Sequence, residues 1–135
     1  MRRLYAVGVL CVLVVLLAAC SVSTANISKA ELARGYQDGQ AVDVVTSFQP
    51  TDTSFHLVVT LNNAPSDTKV KALWTAVDAD NGSIKDQKLD ETELTAGGGV
   101  LDFSLKANQD WPQGKYKVDL YMNEKLDRSV DFTVE

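Results

Sequence analysis

From residue 41 to the C-terminus, apolar residues recur at every second position in short runs separated by clusters of Gly, Pro, Asn and Asp. Successive side chains of a strand point to opposite faces, so this spacing is typical of half-buried strands. Seven runs are present, at residues 41–48, 54–62, 68–78, 83–89, 100–106, 115–122 and 125–134. The pattern predicts a single all-β domain of seven antiparallel strands.

The alternation also predicts which side chains fill the interior. The weakly apolar run 83–89 is expected at a sheet edge, a short piece at 93–95 is left either paired or unpaired, and Asn123–Glu124 fits a two-residue hairpin. The predicted inward residues are Val42, Val44, Phe48, Phe55, Leu57, Val59, Leu61, Val70, Ala72, Trp74, Ala76, Leu101, Phe103, Leu105, Tyr116, Val118, Leu120, Met122, Val130, Phe132 and Val134.

The N-terminal residues show a different pattern. Arg2 and Arg3 precede a charge-free, largely apolar stretch at residues 4–17, followed by Ala18, Ala19 and Cys20. This order of basic, apolar and small residues is typical of a secretory signal. A stretch of about 14 apolar residues is short for a membrane-spanning helix, which needs about 20. We therefore expect export and cleavage rather than permanent insertion.

The four residues Leu17-Ala18-Ala19-Cys20 resemble the lipobox of bacterial lipoproteins. This resemblance implies that the lipoprotein processing machinery removes residues 1–19 and attaches diacylglycerol to the Cys20 thiol. It also implies that the lipid holds the mature chain on a membrane of the bacterial cell envelope, on its periplasmic or extracellular face. An ordinary signal peptide that happens to leave a Cys nearby is the alternative.

Residues 20–40 are rich in Ser, Ala, Gln, Gly and charge, with little periodic apolar content. We expect them to form a flexible tether between the lipid and the fold. Ser28 and Glu31 have the spacing of a capping box, so a short helix at residues 29–34 is the alternative. The predicted organisation is thus a signal peptide at 1–19, a lipidated Cys and tether at 20–40, and a domain at 41–135.

Seven short strands over about 95 residues point to a two-sheet sandwich. The run containing Trp74, the WPQGKY turn at residues 111–116 and the closing FTV at 132–134 resemble an immunoglobulin-like or fibronectin type III-like module. That resemblance implies a tyrosine corner at Tyr116, whose hydroxyl bonds nearby backbone. The disulfide of antibody domains is missing. The last 40 residues also resemble the ending of small bacterial envelope lipoproteins of unassigned role.

Cysteine and charge content narrow the classes of partner. Cys11 lies in the predicted signal and Cys20 is expected to be acylated, so the mature domain forms no disulfide and depends on its core. Removing residues 1–19 leaves 11 basic and 18 acidic residues, a net charge of −7. A net-negative body is disfavoured on nucleic acid and on anionic headgroups. We expect membrane attachment through lipid and no nucleic-acid partner.

Few residues suggest catalysis or metal binding. His56 is the single histidine, and its alternation places it on the solvent side of its strand. Without a second His or a free Cys, the mature chain cannot build a His dyad, a Cys-His pair or a zinc site of that kind. Asp78 and Asp80 are weak cation candidates, but their spacing departs from the EF-hand loop. We expect a turn with solvated carboxylates, no metal and no cofactor.

Two aromatic residues are candidate surface contacts. Trp111, beside Pro112, either stacks on a sugar ring or partner peptide or plugs the end of the sandwich, and Tyr121 alternates outward. The leading functional hypothesis is a non-catalytic envelope protein that presents its sandwich to a protein or surface polymer. The alternative is an inhibitor or chaperone-like accessory of an envelope enzyme. A hydrolase is the third class.

Overall fold

Two β-sheets packed face to face form the part of the chain that the computed structural model describes, residues 24–135. The predicted signal peptide at residues 1–19 and the predicted lipid attachment at Cys20 lie outside the described residues. Within residues 24–135, no helix is long and apolar enough to cross a membrane.

The described residues form nine strands. They are β1 (Asn26–Gln37), β2 (Gln40–Val44), β3 (Ser47–Phe48), β4 (Ser54–Asn62), β5 (Thr68–Ala79), β6 (Ile84–Ala96), β7 (Gly99–Lys106), β8 (Gly114–Met122) and β9 (Lys125–Val134). One sheet has the order β2-β1-β4-β7, and the other has the order β3-β9-β8-β5-β6. All neighbours are antiparallel except β3 and β9, which are parallel.

The prediction of seven antiparallel strands is therefore corrected to nine strands, with a mixed five-stranded sheet. The predicted first strand is divided because the chain changes sheets within it. The Val45 amide donates to the Leu32 carbonyl of the four-stranded sheet, and the Thr133 amide donates to the Thr46 carbonyl from the other sheet. The runs at 83–89 and 93–95 join into β6, which lies at a sheet edge as expected.

Strand β1 corrects the predicted boundary at residue 41. Residues 26–37, predicted as part of a tether, form an inner strand between β2 and β4. The pattern was hidden because the register shifts between Ile27 and Lys29, and the following residues favour helix on propensity alone. Ile27 and Leu32 pack into the core, and the Arg128 guanidinium donates to the Ile27 carbonyl at 2.5 Å. Tertiary packing outweighs local propensity here.

Val42 and Val44 were predicted inward, and the structure places them outside. They are 46% and 52% exposed, and they lie opposite Gly35 and Ala33 on the outer face of the four-stranded sheet. β2 is an edge strand that pairs only with β1. Pairing with β1 therefore decides which face each β2 side chain occupies, and alternation counted back from Phe48 gives the wrong face. The chain then crosses to the other sheet, where Phe48 turns inward and is 1% exposed.

The remaining predicted inward residues all contact the core, and those of β4, β5 and β8 are buried except Met122. Met122, Leu101, Leu105 and Val130 are half-buried against it. Aromatic side chains from both sheets meet at its centre. The ring centroids of Phe48 and Phe55 are 4.5 Å apart, and Phe132 lies 5.5 Å from Phe48 and 6.0 Å from Trp74. Every buried side-chain nitrogen or oxygen within residues 24–135 has a hydrogen-bond partner. The interior of residues 24–135 is therefore packed without leaving a buried polar side-chain atom unpaired.

The tyrosine corner expected from the resemblance is present. The Tyr116 hydroxyl donates to the Pro112 carbonyl at 2.5 Å, which fixes the loop that leads into β8. Gly114 closes this loop against β5, because a Cβ there would lie 2.3 Å from the Asp78 carbonyl oxygen. Only glycine allows the two backbones to approach this closely.

Short connections define the two ends of the sandwich. The near end, where β1 begins, carries residues 63–67, Gly97–Gly98 and the Asn123–Glu124 hairpin. Both hairpin residues have positive φ, and Met122 pairs with Lys125, which confirms the predicted two-residue turn. The far end carries the Asp38–Gly39 turn and the loops at residues 49–53, 80–83 and 107–113.

We expect Trp74→Ala to lower the free energy of unfolding by about 3–5 kcal/mol, because it empties a fully buried aromatic site. Trp111→Ala should cost less, because Trp111 is half-buried at the margin of the core. Denaturant titration of both variants against the parent chain measures the two losses. Equal losses would contradict the placement of these residues.

Candidate functional site

One lateral side of the sandwich is open. It lies between β6, the edge of the five-stranded sheet, and β7, the edge of the four-stranded sheet, and we call it the open side. A groove of about 340 Å³ runs along its far half, with Ile84, Leu89, Leu105 and Trp111 among its walls and Lys106 at its margin. Leu89 is 37% exposed in this groove. The open side is the candidate functional site.

Trp111 forms the inner wall of the groove. Its ring stacks on Phe55 at a centroid distance of 4.2 Å and an interplanar angle of 21°, and lies 5.3 Å from Tyr116. Its amide donates to the Pro50 carbonyl at 3.0 Å. Trp111 therefore closes the end of the aromatic core and also lines the groove. Contact of Trp111 with a sugar ring or a partner peptide stays a prediction.

Tyr116 lines the same groove from β8. Burial raises the pKa of its phenol, and the negative charge of Asp80 raises the pKa further. The hydroxyl therefore keeps its proton and continues to donate to Pro112. This bond holds the loop that carries Trp111 in place.

Strand β7 presents its backbone at the open side. It pairs with β4 through eight consecutive residues, from Gly99 opposite Leu61 to Lys106 opposite Ser54, without a register shift. No strand within residues 24–135 pairs with its other edge. Backbone groups along an edge strand are free to pair with another strand.

His56 and Asp102 form a hydrogen-bonded pair on the outer face of the four-stranded sheet. The His56 Nδ1 lies 2.9 and 3.0 Å from the two Asp102 carboxylate oxygens. Because a carboxylate only accepts, Nδ1 carries the proton. Ser104 lies directly opposite His56 in the β4–β7 register, but the hydrogen bonds among residues 24–135 do not join Ser104 to His56. Asp102 therefore orients the imidazole of His56.

The weak cation candidates are engaged with other side chains. Asp78 accepts from the Lys85 ammonium at 2.7 Å, and Asp80 accepts from the Ser83 hydroxyl at 2.7 Å. Asp80, Asn81 and Gly82 all have positive φ, as a tight turn requires. The described residues contain no group of three acidic, His or Cys side chains that could hold a metal ion.

Tyr121 lies on the outer face of the five-stranded sheet, away from the open side. The Lys71 ammonium sits 4.6 Å from the centre of its ring, and Lys71 also pairs with Glu91 at 3.3 Å. Salt bridges from Lys88 and Lys71 lower the pKa of Glu91. Tyr121 remains partly exposed beside Leu126, which is 51% exposed. The structure therefore does not bring Tyr121 and Trp111 together in one site.

Comparison with solved structures bears on the fold. The chain is similar to the crystal structure of an immunoglobulin-like protein from Pseudomonas aeruginosa, with a TM-score of 0.55 and 14% sequence identity. The match covers 82% of this chain and 96% of that chain. The fold is immunoglobulin-like. No protein-family model and no curated protein matches the chain. At this identity the likeness shows the fold alone.

Of the features of the open side, the sequence predicts Trp111 as a candidate contact, but it predicts neither the groove nor the unpaired edge of β7. The alternation places Asp102, Ser104 and Lys106 outward but cannot tell which strand lies at an edge. The pairing of His56 with Asp102 depends on the same strand order. The Asp38–Gly39 turn did have a sequence signal, because Asp-Gly is a preferred hairpin pair and both residues have positive φ.

We expect Tyr116→Phe to destabilise the domain by about 1 kcal/mol at neutral pH, because it removes the hydrogen bond to Pro112. The folded-state pKa of Tyr116 is raised, so its stabilisation is complete below the unfolded pKa and is lost as pH rises through the folded pKa. Thermal melts above pH 10 should therefore fall more steeply for the parent chain than for Tyr116→Phe. Parallel curves would contradict a buried phenol.

Proposed function

We propose that this chain is a non-catalytic, lipid-anchored protein of the bacterial cell envelope that binds a protein or surface polymer. The observation that carries the binding role is the open side, where an apolar groove and a bare strand edge lie together. The lipobox-like residues at 17–20 support the anchor.

The position of β1 makes the proposed anchor short. Asn26, where β1 begins, lies six positions after Cys20. A fully extended chain of six residues spans at most about 20 Å. A lipid on Cys20 would therefore keep the near end of the sandwich within about 20 Å of the bilayer surface. The far-end loops and the groove stay accessible from the aqueous phase.

The composition of the open side suits macromolecular binding. Leu89 and Trp111 offer apolar contact area, and Lys106 and Asp110 supply charge around it. Such a mixture of an apolar centre and a polar margin is typical of protein interfaces. The bare β7 edge adds backbone groups that can pair with an extended segment.

The same edge supports a second candidate function, an inhibitor or chaperone-like accessory of an envelope enzyme. Such a protein would act by adding β7 to a strand of the enzyme or by blocking the enzyme's substrate groove. A panel of envelope proteases and hydrolases assayed with and without the purified chain discriminates this function. Inhibition or activation at equimolar chain would favour it over simple binding.

We expect Cys20→Ala to remove lipid labelling and to release the chain from the membrane fraction, while Cys11→Ala should change neither. Loss of the thiol removes the acceptor of the lipid, and the acyl chains supply the binding free energy. Radiolabelled fatty acid incorporation and membrane fractionation measure the two effects. Membrane binding that persists in Cys20→Ala together with unchanged labelling would contradict the anchor.

We expect Leu89→Asp to reduce the recovery of a crosslinked partner from intact envelopes, because it places a charge in the apolar groove. Leu126→Asp is the matched control, since Leu126 is also an exposed leucine but lies on β9, away from the groove. Quantitative mass spectrometry of the recovered proteins compares the two variants with the parent chain. Equal recovery from all three chains would contradict binding at the open side.

A further inference from the structure

The four sheet edges of the described residues differ in how they are protected. β3 has two residues and β2 has five, and Asp43 in β2 has positive φ. β6 is long, but six of its thirteen residues are charged, Asp86 has positive φ, and its pairing with β5 shifts register. Short length, charge and bulges are the devices by which proteins keep edges from pairing.

β7 is less protected against pairing than the other three edges. Its eight residues pair with β4 in unbroken register, its positive φ is confined to the first residue, Gly99, and it contains neither proline nor a bulge. Two of the eight are charged, Asp102 and Lys106. Both lie on the outer face of the sheet, together with Ser104. An edge that is long, regular and weakly charged is suited to pairing with another strand.

The charges on β7 favour one partner strand. In an antiparallel pair of two β7 strands centred on Ser104, each Asp102 lies opposite Lys106 of the second copy, and Ser104 lies opposite Ser104. Opposite charges at directly facing positions stabilise such a pair, whereas centring on Asp102 would bring two carboxylates together. The strand is thus complementary to itself in one register.

We propose that two copies of this chain associate through antiparallel pairing of their β7 strands, centred on Ser104. The pairing joins the two four-stranded sheets into one continuous sheet. Leu105 and Lys106 belong both to this pairing and to the walls of the groove. The second copy therefore lies across the mouth of the groove, where it shields Leu89. This inference names a partner for the open side and so rests on the proposed function.

Antiparallel pairing also sets the orientation on a membrane. The two-fold axis is normal to the paired sheet, so the near ends of the two copies lie at opposite ends of the dimer. Two copies anchored in one membrane then lie along the bilayer, and each near end stays within the reach of about 20 Å that six residues allow.

Thiol crosslinking of the full chain in intact cells tests the pairing. The Ser104→Cys variant, treated with a short bifunctional thiol reagent, should give a crosslinked dimer because the two facing Cβ atoms lie about 4.5–5.5 Å apart. Thr60→Cys is the matched control, since Thr60 lies on the same face one strand further in, opposite Val100. A dimer yield no higher than that of Thr60→Cys would overturn the proposal.

Charge variants test the register. In the Ser104→Cys background, Lys106→Glu should lower the dimer yield about tenfold, because two attractive pairs become repulsive. Lys106→Gln should lower it less. Asp102→Lys combined with Lys106→Glu should restore it in part, because Asp102→Lys also removes the hydrogen-bond acceptor of His56. Lys125→Glu, a charge reversal on β9, is the control. Unfolding is monitored by thermal melts, and the milder Lys106→Gln keeps the test valid if a reversal unfolds the domain.

Two results of the charge series would overturn the inference: a yield unchanged by Lys106→Glu, or no recovery in a charge-exchanged variant that folds. The crosslinking is repeated with Cys20→Ser in both membrane and soluble fractions. If the proposed anchor is right, Cys20→Ser moves the protein to the soluble fraction; if it is wrong, the fraction does not change. In either case the β7 crosslink is unaffected. Failure of the pairing and failure of the anchor are thereby distinguished.

Discussion

The structure depends on the contact between two apolar sheet faces, which no disulfide crosses because residues 24–135 contain no cysteine. Phe48, Phe55, Trp74 and Phe132 interlock at the centre of this contact, with ring centroids 4.5–6.3 Å apart. A disulfide crosses the corresponding space in antibody domains, and here aromatic packing replaces it. Burial of these rings supplies the driving force that orders the strands. The loop carrying Trp111 continues the same aromatic cluster to the surface.

The two lateral sides of the sandwich differ because the chain crosses between sheets differently at each. On one side, residues 45–46 pass from β2 to β3 at the far half and bond both sheets, which closes the gap. On the open side, the crossing from β6 to β7 is made by Gly97 and Gly98 at the near end. The far half of that side is therefore left unbridged, and the groove beside Trp111 follows from this route of the chain.

Much of the fold could be predicted from sequence because burial enforces a period of two. The central strands, Trp74 in the core, the Tyr116 corner and the Asn123–Glu124 hairpin all follow from local patterns. The failures occur where local patterns do not determine packing: β1 has a register shift and helix-forming residues, and Val42 and Val44 lie on an edge strand. The candidate site depends on strand order, which arises from long-range pairing and has no local signal.

The position of β1 determines which edges are free. With β1 between β2 and β4, β7 is the one edge of the four-stranded sheet that is long enough to pair with another strand. Without β1, the edge of β4 would be unpaired as well. Hydrogen exchange followed by mass spectrometry tests this arrangement most directly. The account predicts that backbone amides of residues 26–37 exchange as slowly as those of β4. Exchange of these amides at the rate of an unstructured chain would contradict it and would support a flexible tether at these residues instead.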